Sequence, residues 1–144
     1  MANGNRMKYG SLLDDNPFEI ASRLGLDVVI PTEHELFVDI DDESDLLVLD
    51  SQIETLNRNL AGQWVDPGAK PAAIRTRTTR SRGGNCHAVV LMPFAVTPLE
   101  RVLLQAALGS DRRRELLSYL RIKFATDRPP TLFFEVPSER RDQP

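Results

Sequence analysis

The chain is poor in several things at once. Among its 144 residues there is one cysteine, Cys86, which excludes an internal disulfide framework and a cysteine-built zinc site. No apolar run approaches the ~20 residues that a membrane helix needs. The longest, Val89 to Val96, is interrupted by Pro93. The opening residues Met-Ala-Asn-Gly-Asn-Arg hold no apolar core of the kind a secretory signal requires. A reducing cytoplasm and no membrane partner are therefore expected. Aromatic residues are few, at 6%, and of them only Phe37 and Phe133 are available to stack bases on the expected open face of the sheet.

One further absence is local. Between Pro67 and Leu99 there is no acid, while Lys70, Arg75, Arg77, Arg80 and Arg82 all fall there. Acids collect instead at Asp39 to Asp45. The net charge of −3 and pI near 5.4 argue against a general nucleic-acid coat, and the segregation of sign says more than the total.

With 41% hydrophobic and 27% charged residues, the chain has the make-up of one globular domain. Its expected organisation is a loose N-terminus over 1–16, an α-β unit over 17–34, a core over 35–136 and a flexible tail over 137–144. Asn16-Pro17 reads as an N-cap followed by proline at the first helical position, and Gly25 closes that helix. Leu26 to Ile30 and Glu35 to Ile40 read as strands. Leu46, Leu49, Ile53, Leu56 and Leu60 recur every three or four residues, the stripe of a helix. Ala72 to Arg80 and Cys86 to Met92 form a hairpin around Gly83-Gly84. Thr97-Pro98-Leu99-Glu100 is a capping box, and Ser110 or Asp111 starts a second helix. Thr131 to Val136 is the last strand. Arg112-Arg113-Arg114 reads as a solvated helix face, and Cys86 as a small buried hydrophobe.

From residue 35 onward the order is β-α-β-β-α-β. It predicts an α+β fold, the ferredoxin-like or RRM-like plan with a four-stranded antiparallel sheet in the order 4-1-3-2. Alternation along the strands puts Asp39, Asp41, His87, Glu135, Arg75 and Arg77 on one sheet face. Carboxylates with spare oxygens suit Mg²⁺ or Mn²⁺ and arginines suit phosphate, so the pattern points to metal-assisted phosphoryl or nucleotidyl transfer.

These residues resemble the catalytic core of the archaeo-eukaryotic primase superfamily, the primase-polymerases, over roughly Leu26 to Val136. The hydrophobic lead into Asp-x-Asp is matched by Leu36-Phe37-Val38-Asp39-Ile40-Asp41. The Ser-x-His motif after a glycine turn is resembled by Ser81-Arg82-Gly83-Gly84-Asn85-Cys86-His87, with Asn85 where the family has serine. The acid after a hydrophobic strand is resembled by Leu132-Phe133-Phe134-Glu135. The resemblance implies a minimal stand-alone nucleotidyltransferase, of the sort a phage or mobile element encodes. Asp39, Asp41 and Glu135 would hold Mg²⁺ or Mn²⁺, and His87 would contact nucleotide phosphates. Arg75, Arg77, Arg80, Ser81, Arg82 and Asn85 would bind the nucleotide or strand. Nucleoside triphosphates and single-stranded DNA or RNA are the implied partners, with a replication protein or helicase beside them. Three rivals stand next to this reading: a non-catalytic RRM-like binding module, a metal-dependent nuclease or phosphoesterase on the same fold, and an interaction protein whose charged patches are only surface.

Overall fold

The computed structural model describes residues 16–63, 71–80 and 84–137. The expected loose N-terminus up to residue 15, the tail from residue 138, and Ser81 and Arg82 lie outside them. Helix α1 spans Pro17–Leu24. Asn16 Oδ1 accepts the Phe18 N–H at 3.0 Å, and Gly25 ends the helix in the left-handed conformation, φ 67°. Strand β1 is Asp27–Val29 and β2 is Glu35–Ile40. A 3₁₀ turn, Glu43–Asp45, leads into α2, Leu46–Ala61. Strands β3, Ile74–Arg80, and β4, Cys86–Leu91, form the hairpin.

Helix α3 is Pro98–Ala107 and carries the reciprocal Thr97–Glu100 capping box. Gly109, at φ 92°, reverses the chain. Asp111 then caps α4, Arg112–Phe124, by accepting the N–H groups of Arg113 and Arg114. The last element is β5, Phe133–Glu135. No described helix is long and apolar enough to cross a membrane.

The fold is thus mixed α+β with antiparallel sheets, but the strands divide three and two. β2, β4 and β3 pair in that order, which is the 1-3-2 part of the expected sheet. The expected fourth strand, β5, pairs instead with β1, Phe134 opposite Val28. The four-stranded sheet is therefore corrected to a three-stranded sheet and a separate ribbon.

The cause lies on the outer edge of β2, where backbone groups alternate outward every second residue. Arg101 Nε donates to Glu35 O, Gln105 Oε1 accepts the Phe37 N–H at 2.7 Å, and Arg114 Nη1 donates to Phe37 O. Ser110 Oγ accepts the Asp39 N–H, and the Asp111 N–H donates to Asp39 O. The α3–α4 hairpin thus engages Glu35 O and both backbone groups of Phe37 and Asp39, and the Glu35 N–H donates to Thr32 O. A fourth strand there would have to displace satisfied, partly buried hydrogen bonds.

Both faces of the three-stranded sheet are covered. On one, Leu36, Val38, Ile40, Ala88 and Val90 pack with Leu49 and Ile53 of α2. On the other, Phe37 and Val89 pack with Phe133 of β5, bordered by Val29 of β1. That double cover is why five consecutive residues of β4, Cys86 to Val90, are all buried.

Candidate functional site

Asp39 and His87 are a cross-strand pair of β2 and β4. Their side chains leave the same face, with His87 Nε2 3.8 Å from Asp39 Oδ1. That separation is too long for a hydrogen bond. Asp39 Oδ1 and His87 Nδ1 are both buried without a hydrogen-bond partner among the described residues. Burial pushes the Asp39 carboxyl above its usual range, opposed first by the Arg114 guanidinium and then by the Asn85 side chain. Burial, reinforced by Arg114 and Arg77, pulls the His87 pKa down to about 4. The imidazole is therefore neutral at pH 7.

The His87 ring is stacked on Phe133, centroids 3.9 Å apart and planes 3° from parallel. Phe37 is stacked on the same ring at 4.4 Å and 1°. Two parallel rings this close to one centroid cannot share one side of it without overlapping. Phe133 is therefore inserted between Phe37 and His87.

Asp41 continues the phase of Asp39 two residues on, past the end of β2, and is exposed. Asp39, Asp41, Asp45 and Asp111 line one cavity of about 140 Å³, walled on its apolar side by Val48, Leu49 and Leu108. Among the described residues there is no group of three His, Cys, Asp or Glu side chains that could hold a metal ion.

Glu135 does not line that cavity. It is 5% exposed, on the β1–β5 ribbon, and its Oε2 is 3.1 Å from Arg77 Nη1. Of the three acids expected together, Asp39 and Asp41 thus line the cavity and Glu135 does not.

The arginines also part company. Arg75 is opposite Val90 and Arg77 opposite Val89, so the ladder absorbs Thr76 as an extra residue, a β-bulge. The bulge inverts the phase, and the expectation that Arg75 and Arg77 share a face is corrected. Arg75 turns to the α2 side, where Nε and Nη2 bind both Asp50 oxygens at 2.8 and 2.9 Å. Arg77 stays on the face of Phe37 and His87. Arg80, at the end of β3, pairs with Glu43 at 2.6 Å. Each of the three expected phosphate-binding arginines of β3 is therefore already paired with a carboxylate.

Reading the sequence as a solvated Arg112–Arg114 face missed Arg114. Its Nη1 donates to Phe37 O, Ser110 Oγ and Glu115 Oε1, and its guanidinium carbon lies 4.9 Å from the Phe133 centroid. Burial lowers its pKa, opposed first by Glu115. Glu115, 3% exposed, also accepts two hydrogen bonds from Gln105 Nε2 and one from Ser110 Oγ. The available signal was helical phase: Gln105 stands on the inward stripe of Val102 and Leu108. A polar residue on an apolar stripe must find buried partners.

No protein-family model, curated protein or solved structure matches this chain.

Proposed function

We propose that this chain is a metal-dependent nucleotidyltransferase of the primase-polymerase type, acting on single-stranded nucleic acid with nucleoside triphosphates. Its scaffold in this reading is a ferredoxin-like or RRM-like core that keeps strands one to three of the plan and replaces the fourth with side chains of α3 and α4. The observation that carries the reading is Asp39, one carboxylate oxygen of which is buried with no hydrogen-bond partner among the described residues, in a residue that lines one cavity together with Asp41. Buried acceptors without partners are rare, and an ion is one of the few things that explains them.

Two carboxylates fit Mg²⁺ or Mn²⁺ of a particular kind. Magnesium is commonly held by one or two carboxylates together with substrate phosphates, not by an all-protein cage. When bound, such an ion would neutralise phosphate charge and make the attacking hydroxyl a better nucleophile. Asp39 and Asp41 would hold it. Neutral His87, whose Nδ1 has no hydrogen-bond partner among the described residues, would offer a phosphate oxygen a hydrogen bond without placing a second positive charge beside the cation. Glu135, which does not line the cavity and is paired with Arg77, is left out of the ligand set in this reading, and Arg77 would have to exchange its carboxylate for a phosphate.

A second reading has its own support. Arg75, Arg77 and Arg80 are all paired with acids, and Phe133 fills the place on the sheet where a base would stack in an RRM-like module. That arrangement favours a non-catalytic interaction module.

Primer synthesis and extension on single-stranded DNA, with labelled nucleotides and Mn²⁺ or Mg²⁺, separates the two. Incorporation abolished in Asp39→Asn and Asp41→Asn supports nucleotidyl transfer. Hydrolysis of the strand without incorporation transfers the site to a nuclease. No chemistry, together with equal melting temperatures of wild type and Asp39→Asn in millimolar Mn²⁺, leaves the interaction module.

A further inference from the structure

Helix α4 has two sides of different character. Its inward side carries Arg114, Glu115 and Ser118, which are engaged or buried at the β2 edge. On its outward side, Arg112, Leu116, Tyr119 and Lys123 follow one another at intervals of four, three and four residues. They form a single stripe of about 16 Å at 1.5 Å rise per residue. Arg113 and Phe124 widen that stripe on one flank. Leu116 is 59% exposed, Tyr119 38% and Phe124 65%, and Arg112, Arg113 and Lys123 are exposed as well.

Among the described residues, α4 places no carboxylate on this face. The only acid of α4 is Glu115, which is buried, and the Asp111 carboxylate is occupied as the N-cap. Among the described residues Arg112, Arg113 and Lys123 form no ion pair. The Lys123 ammonium lies 5.9 Å from the Phe124 ring. In a chain of net charge −3 this is a concentrated cationic surface, without an ion-pair partner among the described residues, with rings set into it.

We propose that the outward face of α4 is a docking surface for single-stranded nucleic acid. Phosphates would be drawn to Arg112, Arg113 and Lys123, and unpaired bases would stack on Tyr119 and Phe124. The interleaving selects this partner over a lipid surface. A membrane-seated helix separates a broad apolar side from its cations, whereas here both share one arc. Exposed rings select single strands over duplex, whose bases are already stacked. The inference shares its class of partner with the proposed function, but it does not require the acidic cavity to be catalytic.

The test is fluorescence anisotropy of a labelled oligothymidylate with the full chain over a salt series. The wild type is expected to bind with a steep salt dependence. The triple variant Arg112→Glu, Arg113→Glu, Lys123→Glu should bind at least about tenfold more weakly, with the log–log salt slope reduced by about two units. The double variant Tyr119→Ala, Phe124→Ala should bind several-fold more weakly with its salt slope unchanged. All five side chains are exposed, so unchanged melting temperatures are expected and confirm that folding is intact. Asp39→Asn should bind the oligonucleotide as the wild type does, so failure of the catalytic reading does not mimic failure of this one. Wild-type binding by the triple variant overturns the proposal. So does equal competition by duplex DNA, or cosedimentation with phosphatidylserine vesicles without oligonucleotide binding.

Discussion

Arg75 and Arg77, two residues apart on β3, leave the sheet on opposite faces. The bulge at Thr76 sends Arg75 to Asp50 on α2 and Arg77 to Glu135 on β5. The two ion pairs look alike in sequence but differ in burial. The Arg75 and Asp50 side chains are 31% and 44% exposed, whereas Glu135 in the other pair is 4% exposed.

Their removal should therefore differ in cost. Arg75→Ala breaks a largely solvated pair and should cost no more than about 1 kcal/mol. Arg77→Ala takes an ion partner from a buried carboxylate and should cost about 2 kcal/mol, part of it recovered in Arg77→Ala/Glu135→Gln. Urea unfolding of the three variants measures this, and equal losses for the two single variants would contradict the bulge.

Gln105 is fully buried and joins β2 to α4 through one amide. Its oxygen accepts the Phe37 N–H and its nitrogen donates to both Glu115 oxygens. Gln105→Leu keeps most of the volume but leaves the Phe37 N–H without its acceptor and takes two hydrogen bonds from Glu115, which keeps those from Ser110 and Arg114. The expected loss is about 2–4 kcal/mol in urea, larger than for an apolar truncation of similar size at the surface.

Much of this architecture was legible in the sequence. Helix ends carry their own markers, and Asn16, Thr97, Glu100, Gly109 and Asp111 stand where the structure uses them. Strand β2 has the expected limits because alternation and the following acids define them. That Asp39 and His87 leave the same sheet face follows from the same phase argument, whereas their direct cross-strand pairing is a matter of register. The bulge was not legible, because Thr76 carries no glycine or proline signal and the inversion depends on register with β4. Nor was the partner of β5, since the choice between β2 and β1 is decided by Gln105, Ser110 and Arg114, which reach the β2 edge from α3, α4 and the turn between them. Local rules place each side chain on its own element; they do not say which elements compete for one edge.

The His87 imidazole should give the metal-free protein a pH-dependent stability. Its pKa falls from 6.5 to about 4 on folding, so between those values the unfolded chain binds a proton that the folded protein does not. Stability is then highest above pH 6.5 and declines as pH falls toward 4, by up to about 3 kcal/mol. Asp39, whose carboxyl is raised, acts in the opposite sense: it favours the folded state as pH falls through its folded value. Urea midpoints in EDTA for wild type and His87→Leu, each also in an Asp39→Asn background, separate the two. A wild-type acid limb no steeper than that of His87→Leu would refute the His87 contribution.

Phe133 is the element that keeps water from this histidine. Its ring is 2% exposed and occupies the space between Phe37 and His87, and desolvation is the first cause of the low His87 pKa. Removing the ring should therefore have two effects with one origin. Phe133→Ala should cost about 3–5 kcal/mol, since two stacked faces and their packing are lost together. Phe133→Leu keeps apolar volume but not planarity, should cost less, and leaves a folded protein in which His87 can be titrated by NMR. In that variant the His87 pKa should rise from about 4 toward 6.5 as water reaches the imidazole. An unchanged His87 titration in folded Phe133→Leu would mean that the strand pairing of β4, and not the inserted ring, keeps the imidazole dry.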